Sequence, residues 1–191
     1  MNFQELQNDL GQTLIELEWH RHPNGEGWVE NTAKVDNSAY IGKNAIVYDC
    51  ARVRGNAWVH GNARVHGNAR VHGDARVYGD ARVFGDAWVF GNARVYGDAL
   101  VSGNARVSGD AWEISPLYTQ GSKHSVTTCS YNELQIGCKR FTVSEWQSKF
   151  KEIGRREEYN ESEIREYGII IERAARWLES KFPSLATEER P

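Results

Sequence analysis

Ala recurs every six residues from Ala33 to Ala111, and Val or Ile follows two places later at each step from Val35 and Ile41 to Val107. Alternation of period two sets these Ala and Val side chains on one side of an extended segment and the residues flanking Val on the other. From Gly55 onward each unit continues with Gly and then Asn or Asp, residues that tolerate the backbone of a tight corner. Each unit therefore reads as short strand, corner, short strand. Strands this short cannot bury an Ala/Val face alone, so successive units must wind into a coil around a stacked Ala and Val interior.

The flanks have other periods. Gly27-Trp28-Val29-Glu30 enters in phase, with Val29 six residues before Val35, and Trp28 is expected to cap the first coil. Residues 1–26 read as a capping segment: a short helix with Phe3, Leu6 and Leu10, then an extended stretch to Trp19. The coil occupies 27–114, Glu113 breaks the Val pattern, and 115–132 read as an irregular connection rich in Ser, Thr and Gly. In the remainder, 133–191, Leu134 to Phe141 predicts a strand. Thr142-Val143-Ser144-Glu145 is a capping box opening a helix with Trp146, Phe150 and Ile153 on one face, stopped or kinked at Gly154. A second helix over Glu161 to Lys181 follows from Ile164, Tyr167, Ile171, Ala174, Leu178 and Phe182, and ends before Pro183. Arg155 to Glu166 reads as a solvated helix start. The two helices make a small appendix that needs a partner surface, either the end of the coil or another subunit.

Ala63-Arg64-Val65-His66-Gly67-Asn68 and its variants resemble the hexapeptide-repeat family. The resemblance implies a mainly β fold, a left-handed parallel β-helix shaped as a three-sided prism, with three hexapeptides per turn and about five coils over 27–114. Residues 18 apart would then stack. With its Gly-Trp-Val-Glu entry, strict repeat and tail segment Ile136-Gly-Cys-Lys-Arg-Phe-Thr before two helices, the whole chain resembles uncharacterised hexapeptide-repeat proteins of phages and prophages. That group has no activity to transfer.

On this geometry the outward residues fall into three columns. The first face stacks Lys34/Asp36, Arg52/Arg54, Arg70/His72, Trp88/Phe90 and Arg106/Ser108. The second stacks Tyr40/Gly42, Trp58/His60, Arg76/Tyr78, Arg94/Tyr96 and Trp112/Ile114; the third stacks Ile46/Tyr48, Arg64/His66, Arg82/Phe84 and Leu100/Ser102. Large aromatics and arginines are unusual on a surface that need only be soluble, so something is expected to cover part of it. The shrinking residues Leu100, Ser102 and Ser108 point to the chain folding back over that end.

Net charge is −3, which argues against a globally basic binder of extended nucleic acid. Its distribution is uneven: residues 1–32 carry one basic and six acidic side chains, whereas 33–112 carry ten basic and seven acidic ones. Three cysteines, Cys50, Cys129 and Cys138, have no CxxC spacing and support neither a disulfide framework nor a zinc knuckle. No apolar run approaches membrane-spanning length and no leader is visible, so the chain is expected to be cytoplasmic.

The hexapeptide-repeat family is best known for trimeric acyltransferases that use acetyl-CoA or an acyl carrier protein and place a catalytic His beside an extruded loop. This chain's six-residue phase runs unbroken from Ala33 to Ala111, leaving no such loop. His60, His66 and His72 also resemble the His spacing of zinc-dependent carbonic anhydrases of this fold, but within one chain they fall on three different faces and cannot converge on one tetrahedral ion. No catalytic residue, metal ligand or cofactor is assigned. The second face offers a candidate ligand set: Trp58, His60, Arg76, Tyr78, Arg94 and Tyr96, with Tyr40 and Trp112 beside them. Guanidinium groups bind phosphate or carboxylate, and the rings stack on bases or cations. The same residue types suit a subunit interface, or mutual packing along the prism with corner Asp74, Asp80, Asp86, Asp98 and Asp110 balancing the arginines. The expectation is a non-enzymatic binding protein, with a trimer favoured, that presents Arg and aromatic side chains to a nucleotide-like anion or a host protein. An acetyl-CoA-dependent acyltransferase and an assembly scaffold are the alternatives.

Overall fold

The computed structural model describes residues 1–108, 111–112 and 114–183, with main chain alone at 111 and 112. The chain forms two compact units, one of Met1–Asn104 with Ser108–Ser115, the other of Ala105–Val107 with the chain from Pro116.

The first unit is a β-solenoid of roughly four turns. Residues 18 apart pair in parallel: Lys34, Arg52, Arg70 and Trp88 along the first face, Tyr40, Trp58, Arg76 and Arg94 along the second. The third face aligns Trp28, Ile46, Arg64, Arg82 and Leu100. Ala39 to Ala93 and Ile41 to Val101 have no exposed surface at any repeat position. Burying each such Val contributes about 1.5–3 kcal/mol. The corners stack as closely as the strands. At Gly61 (φ +67°) an added Cβ would lie 2.8 Å from the Gly79 nitrogen, so the corner requires both the left-handed backbone and the missing side chain.

Among the described residues Asp74, Asp80, Asp86 and Asp98 make no ion pair with an arginine, contrary to the balance expected of them. Asp74, Asp80 and Asp86 each accept a hydrogen bond from the Asn one turn earlier: Asn56 at 3.4 Å, Asn62 at 3.0 Å and Asn68 at 3.1 Å. The amide can reach the carboxylate directly along the coil, whereas Arg70 and Arg76 lie over the rings of Trp88 and Trp58. Asp110 lies outside the described residues.

The phase slips once. Arg94 pairs with Ala111 and Val95 with Trp112, a step of 17 in place of 18, so Trp112 does not join the second-face column opposite Arg94. In unbroken phase Glu113 would be in register with Val95, where an unpaired buried carboxylate is costly; the 17-residue step sets the Trp112 main chain opposite Val95 instead. Gly109, Asp110 and Glu113 lie outside the described residues. At the same end Leu100 donates its N–H to Ser115 Oγ at 2.9 Å, within the first unit.

The other end is closed by backbone rather than by Trp28. Trp19–Arg21 pairs antiparallel with Trp28–Glu30 and so covers the third sheet. Over the second sheet the open carbonyls of the first strand are met one by one: Asn24 Nδ2 donates to Ala39 O at 3.1 Å and Gly27 N to Ile41 O at 2.8 Å. An exposed sheet edge is thereby removed on two faces. Trp28 extends the third face by one rung, with the Arg21 guanidinium 3.8 Å above its ring. The N-terminal helix α1 (Phe3–Leu10) lies over this face and seals Leu6 against Trp19, Trp28 and Ile46. That explains why outward-facing Ile46 is fully buried. Arg64 anchors the helix through Asp9 at 2.5 Å.

The second unit differs from the sequence expectation in several respects. Residues 115–132 are not irregular: they hold the strands Tyr118–Gln120 and Ser125–Thr128. Leu134 to Phe141 is not one strand but a hairpin, Glu133–Ile136 and Lys139–Thr142, turning at Gly137-Cys138. The four strands form an antiparallel sheet in chain order. This sheet is the partner surface that the helices needed. Helix α2 (Val143–Arg156) starts at the Thr142 capping box, and α3 (Glu161–Lys181) at a second one formed by Asn160 and Glu163. Val126, Leu134, Trp146, Ile153, Tyr167, Ile171 and Leu178 make the shared core. Gly154 does not stop α2, which runs on to Arg156. The glycine lies buried where α3 crosses, and a Cβ there would meet Ile164 at 2.9 Å. Among the described residues no helix is long and apolar enough to cross a membrane.

Candidate anion-binding groove

On the second face the structure brings the sequence-predicted residues together as a ladder. His60, Tyr78 and Tyr96 stack nearly parallel, with centroids 5.0 and 5.1 Å apart. Trp58 leans on Tyr40 at 4.9 Å, and Arg76 lies over the Trp58 ring at 5.5 Å. Most ring faces are thus occupied by one another. Burial, with help from Arg76, lowers the pKa of His60, so the ring favours its neutral form within the stack. Arg94 and Trp58 are exposed, the latter at 44 %.

The other histidines follow the same rule on their own faces. His66 is sandwiched between Tyr48 and Phe84 at 4.6 and 5.1 Å, and His72 stacks on Phe90 at 5.5 Å. Their pKa values are lowered, chiefly by burial; Asp49 partly opposes this at His66, whereas Arg54 and Arg70 reinforce it at His72. The three rings lie on three sheets, as the repeat requires. Among the described residues no group of three or more His, Cys, Asp or Glu side chains converges as a metal site would need.

The first face carries a groove of about 410 Å³, lined by Arg52, Arg54, Arg70, His72 and Trp88 and floored by the backbone of Gly55, Val71 and Gly73. Register sets Arg52 directly opposite Arg70, and like charges opposite one another on neighbouring strands are destabilising. Arg54 adds a third guanidinium from the same strand segment. The nearest acid in this column, Asp36, uses its carboxylate to accept from Gly55 N at 3.0 Å. Among the described residues none of the three arginines has a carboxylate within ion-pair distance, in contrast to Arg64 on the third face. Arg70 lies over the Trp88 ring at 4.6 Å, which orients its guanidinium.

Such an arrangement can hold an oxyanion: planar forks on neighbouring rungs present several N–H donors to one or two phosphate or carboxylate groups. Sequence reading placed these residues on the first face without singling them out. The available signal was Arg52-Val53-Arg54, the one repeat unit with Arg on both sides of its Val.

The YdcK beta solenoid repeat family model matches three overlapping stretches, residues 75–91, 89–103 and 99–114. No curated protein and no solved structure shows significant similarity to the chain. Coordinates and comparison agree on a β-solenoid repeat protein, similar over its later turns to the YdcK repeat.

Proposed function

We propose that the solenoid is a non-enzymatic binding module that holds an anionic, nucleotide-like ligand in the first-face groove. The like-charged Arg52/Arg70 pair with Arg54 beside it carries this reading, since a bound dianion would convert a repulsive column into a set of charge-assisted hydrogen bonds. The ligand's phosphates sit among the guanidiniums, while the aromatic ladders chiefly stiffen the walls. Second-face Arg76 and Arg94 also pair like with like and form the comparison site.

Calorimetry and thermal shift with inorganic pyrophosphate, ADP and citrate test the reading. Binding of pyrophosphate and ADP, lost in Arg52→Ala/Arg54→Ala and kept in Arg76→Ala/Arg94→Ala, is the expected result. The reverse pattern would move the site to the second face, and no binding by any anion would overturn the reading. Turnover of acetyl-CoA would instead favour the acyltransferase alternative.

A second reading is supported by Trp58, a large ring left 44 % exposed beside Arg76 and Arg94: packing of second faces in a homo-oligomer, for which the family resemblance favours a trimer. The resemblance to phage proteins makes a host protein a third candidate for that surface.

A further inference from the structure

Two patches outside the groove are complementary to each other. The first is Ile15-Glu16-Leu17-Glu18, where Ile15 is 60 % and Leu17 90 % exposed and both glutamates face solvent. Its backbone is fixed: Glu18 donates its N–H to Ile15 O at 3.0 Å, and Asn31 clamps the turn from both sides, its amide Nδ2 on Leu17 O at 2.9 Å and its backbone N on Glu18 O at 2.8 Å. The aliphatic exposure is therefore built into an ordered turn. A bare Leu in an anchored turn leaves apolar surface in water for no packing gain within its own unit.

The second patch is the outer groove between α2 and α3, about 660 Å³ in volume. Ile169, 70 % exposed, lies within it, while Ile164, Ile170 and Ile171 of the same helix are buried. Arg165 and Arg173 flank Ile169 at four-residue spacing, hence on one helix face, with Lys151 and Arg176 completing the basic rim. The two acids of the groove are engaged, Glu161 with Arg155 at 3.5 Å and Glu172 with Gln147 at 3.1 Å. Among the described residues no carboxylate lies within ion-pair distance of Lys151, Arg165, Arg173 or Arg176. The groove is thus an aliphatic centre between cations, and the turn an aliphatic pair between anions.

We propose that the chain self-associates by seating the Ile15–Glu18 turn of one copy in the α2/α3 groove of a second copy. Leu17 or Ile15 covers Ile169, and Glu16 and Glu18 meet Arg165 and Arg173. The contact joins two different patches, so each copy offers one donor turn and one acceptor groove. A continuous polyanion fits less well, because Glu161 and Glu172 line the same groove.

Light scattering or sedimentation of the full chain is the test, from roughly 10 to 500 µM, a range suited to a small transient interface. Average mass should rise with concentration at low salt and fall back towards the monomer at high salt. Glu16→Lys/Glu18→Lys and Arg165→Glu/Arg173→Glu should each remain monomeric, and an equimolar mixture of the two variants should associate again, since it restores one native turn–groove pair. All four positions are exposed, and an unchanged melting profile confirms that the variants fold. A chain that stays monomeric throughout overturns the proposal. So does association that neither reversal weakens, or a mixture that fails to restore it. Anion binding in the first-face groove is independent of all four substitutions.

Discussion

His60 and Tyr78, 18 residues apart in sequence, stack face to face with ring centroids 5.0 Å apart and only 1° between their planes. Parallel register alone achieves this, since each residue sits one place after its Val and neighbouring strands are about 4.8 Å apart. Ring spacing and strand spacing nearly coincide, so a column of flat side chains fits the solenoid without strain.

Tyr78→Ala should therefore remove two stacks, with His60 and with Tyr96, and cost about 1–3 kcal/mol. Tyr78→Phe should retain most of that stability. Urea unfolding followed by far-UV circular dichroism compares the two variants; equal losses would show that the hydroxyl, and not the ring, matters.

The corners allow a paired comparison. Gly61 and Gly91 share a left-handed backbone, φ +67° and +63°, but a Cβ at Gly61 would strike the Gly79 backbone, whereas one at Gly91 meets no described residue within 4 Å. Gly91→Ala should cost only the backbone penalty, about 1–2 kcal/mol. Gly61→Ala should cost distinctly more, because two backbones must separate. Melting temperatures of the two variants, measured side by side, check the order.

Acid should loosen the ladders. Burial holds His66 below the ordinary histidine pKa of 6.5 in the folded chain, so between the two values the unfolded chain binds more protons. Stability is then fully present above about pH 6.5 and declines as pH falls below it. His66→Phe keeps a ring between Tyr48 and Phe84 and cannot be protonated. The variant should lose less stability than the parent between pH 8 and pH 5 in thermal melts.

Protons should also report on the groove. Arg54 and Arg70 help hold His72 in its neutral form, and an anion placed among them would offset that influence and raise its pKa. Pyrophosphate binding should then be accompanied by net proton uptake and tighten as pH falls from 8 to 6, once the ligand's own ionisation is subtracted. Calorimetry in two buffers of different ionisation enthalpy measures the uptake, and His72→Phe should abolish it.

The solenoid was legible because its pattern is redundant. Thirteen repetitions of Val or Ile two places after Ala show the six-residue unit, and the resemblance to the hexapeptide-repeat family adds three units per turn and so the 18-residue register of every outer column up to Arg94. Both long helices were legible for local reasons, a capping box at Thr142 and a four-residue apolar spacing from Ile164 to Leu178. What escaped lacked redundancy. The strands Tyr118–Gln120 and Ser125–Thr128 are short and rich in Ser and Thr, so their pairing depends on neighbours distant in sequence. The slip at Ala111 comes where a single Glu interrupts the Val pattern of the sequence, and helix α1 shows its purpose only once Ile46 is found to need a cover. Within the candidate groove the arginines were visible as letters, but the concavity that gathers them depends on backbone corners and on the size of Trp88.

The corner ladder of Asn above Asp, stacked at intervals of 18, bears on how such a chain can change length. Removing 18 residues from the middle of the repeat takes out one whole turn and returns every later residue to the same side of the prism, with faces and ring columns preserved. Removing six or twelve keeps the interior of Ala and Val intact but rotates everything downstream by one or two sides, carrying arginines onto the wrong column. Gains and losses in a lineage of this solenoid should therefore come in multiples of 18, even though the smallest unit visible in its sequence is six.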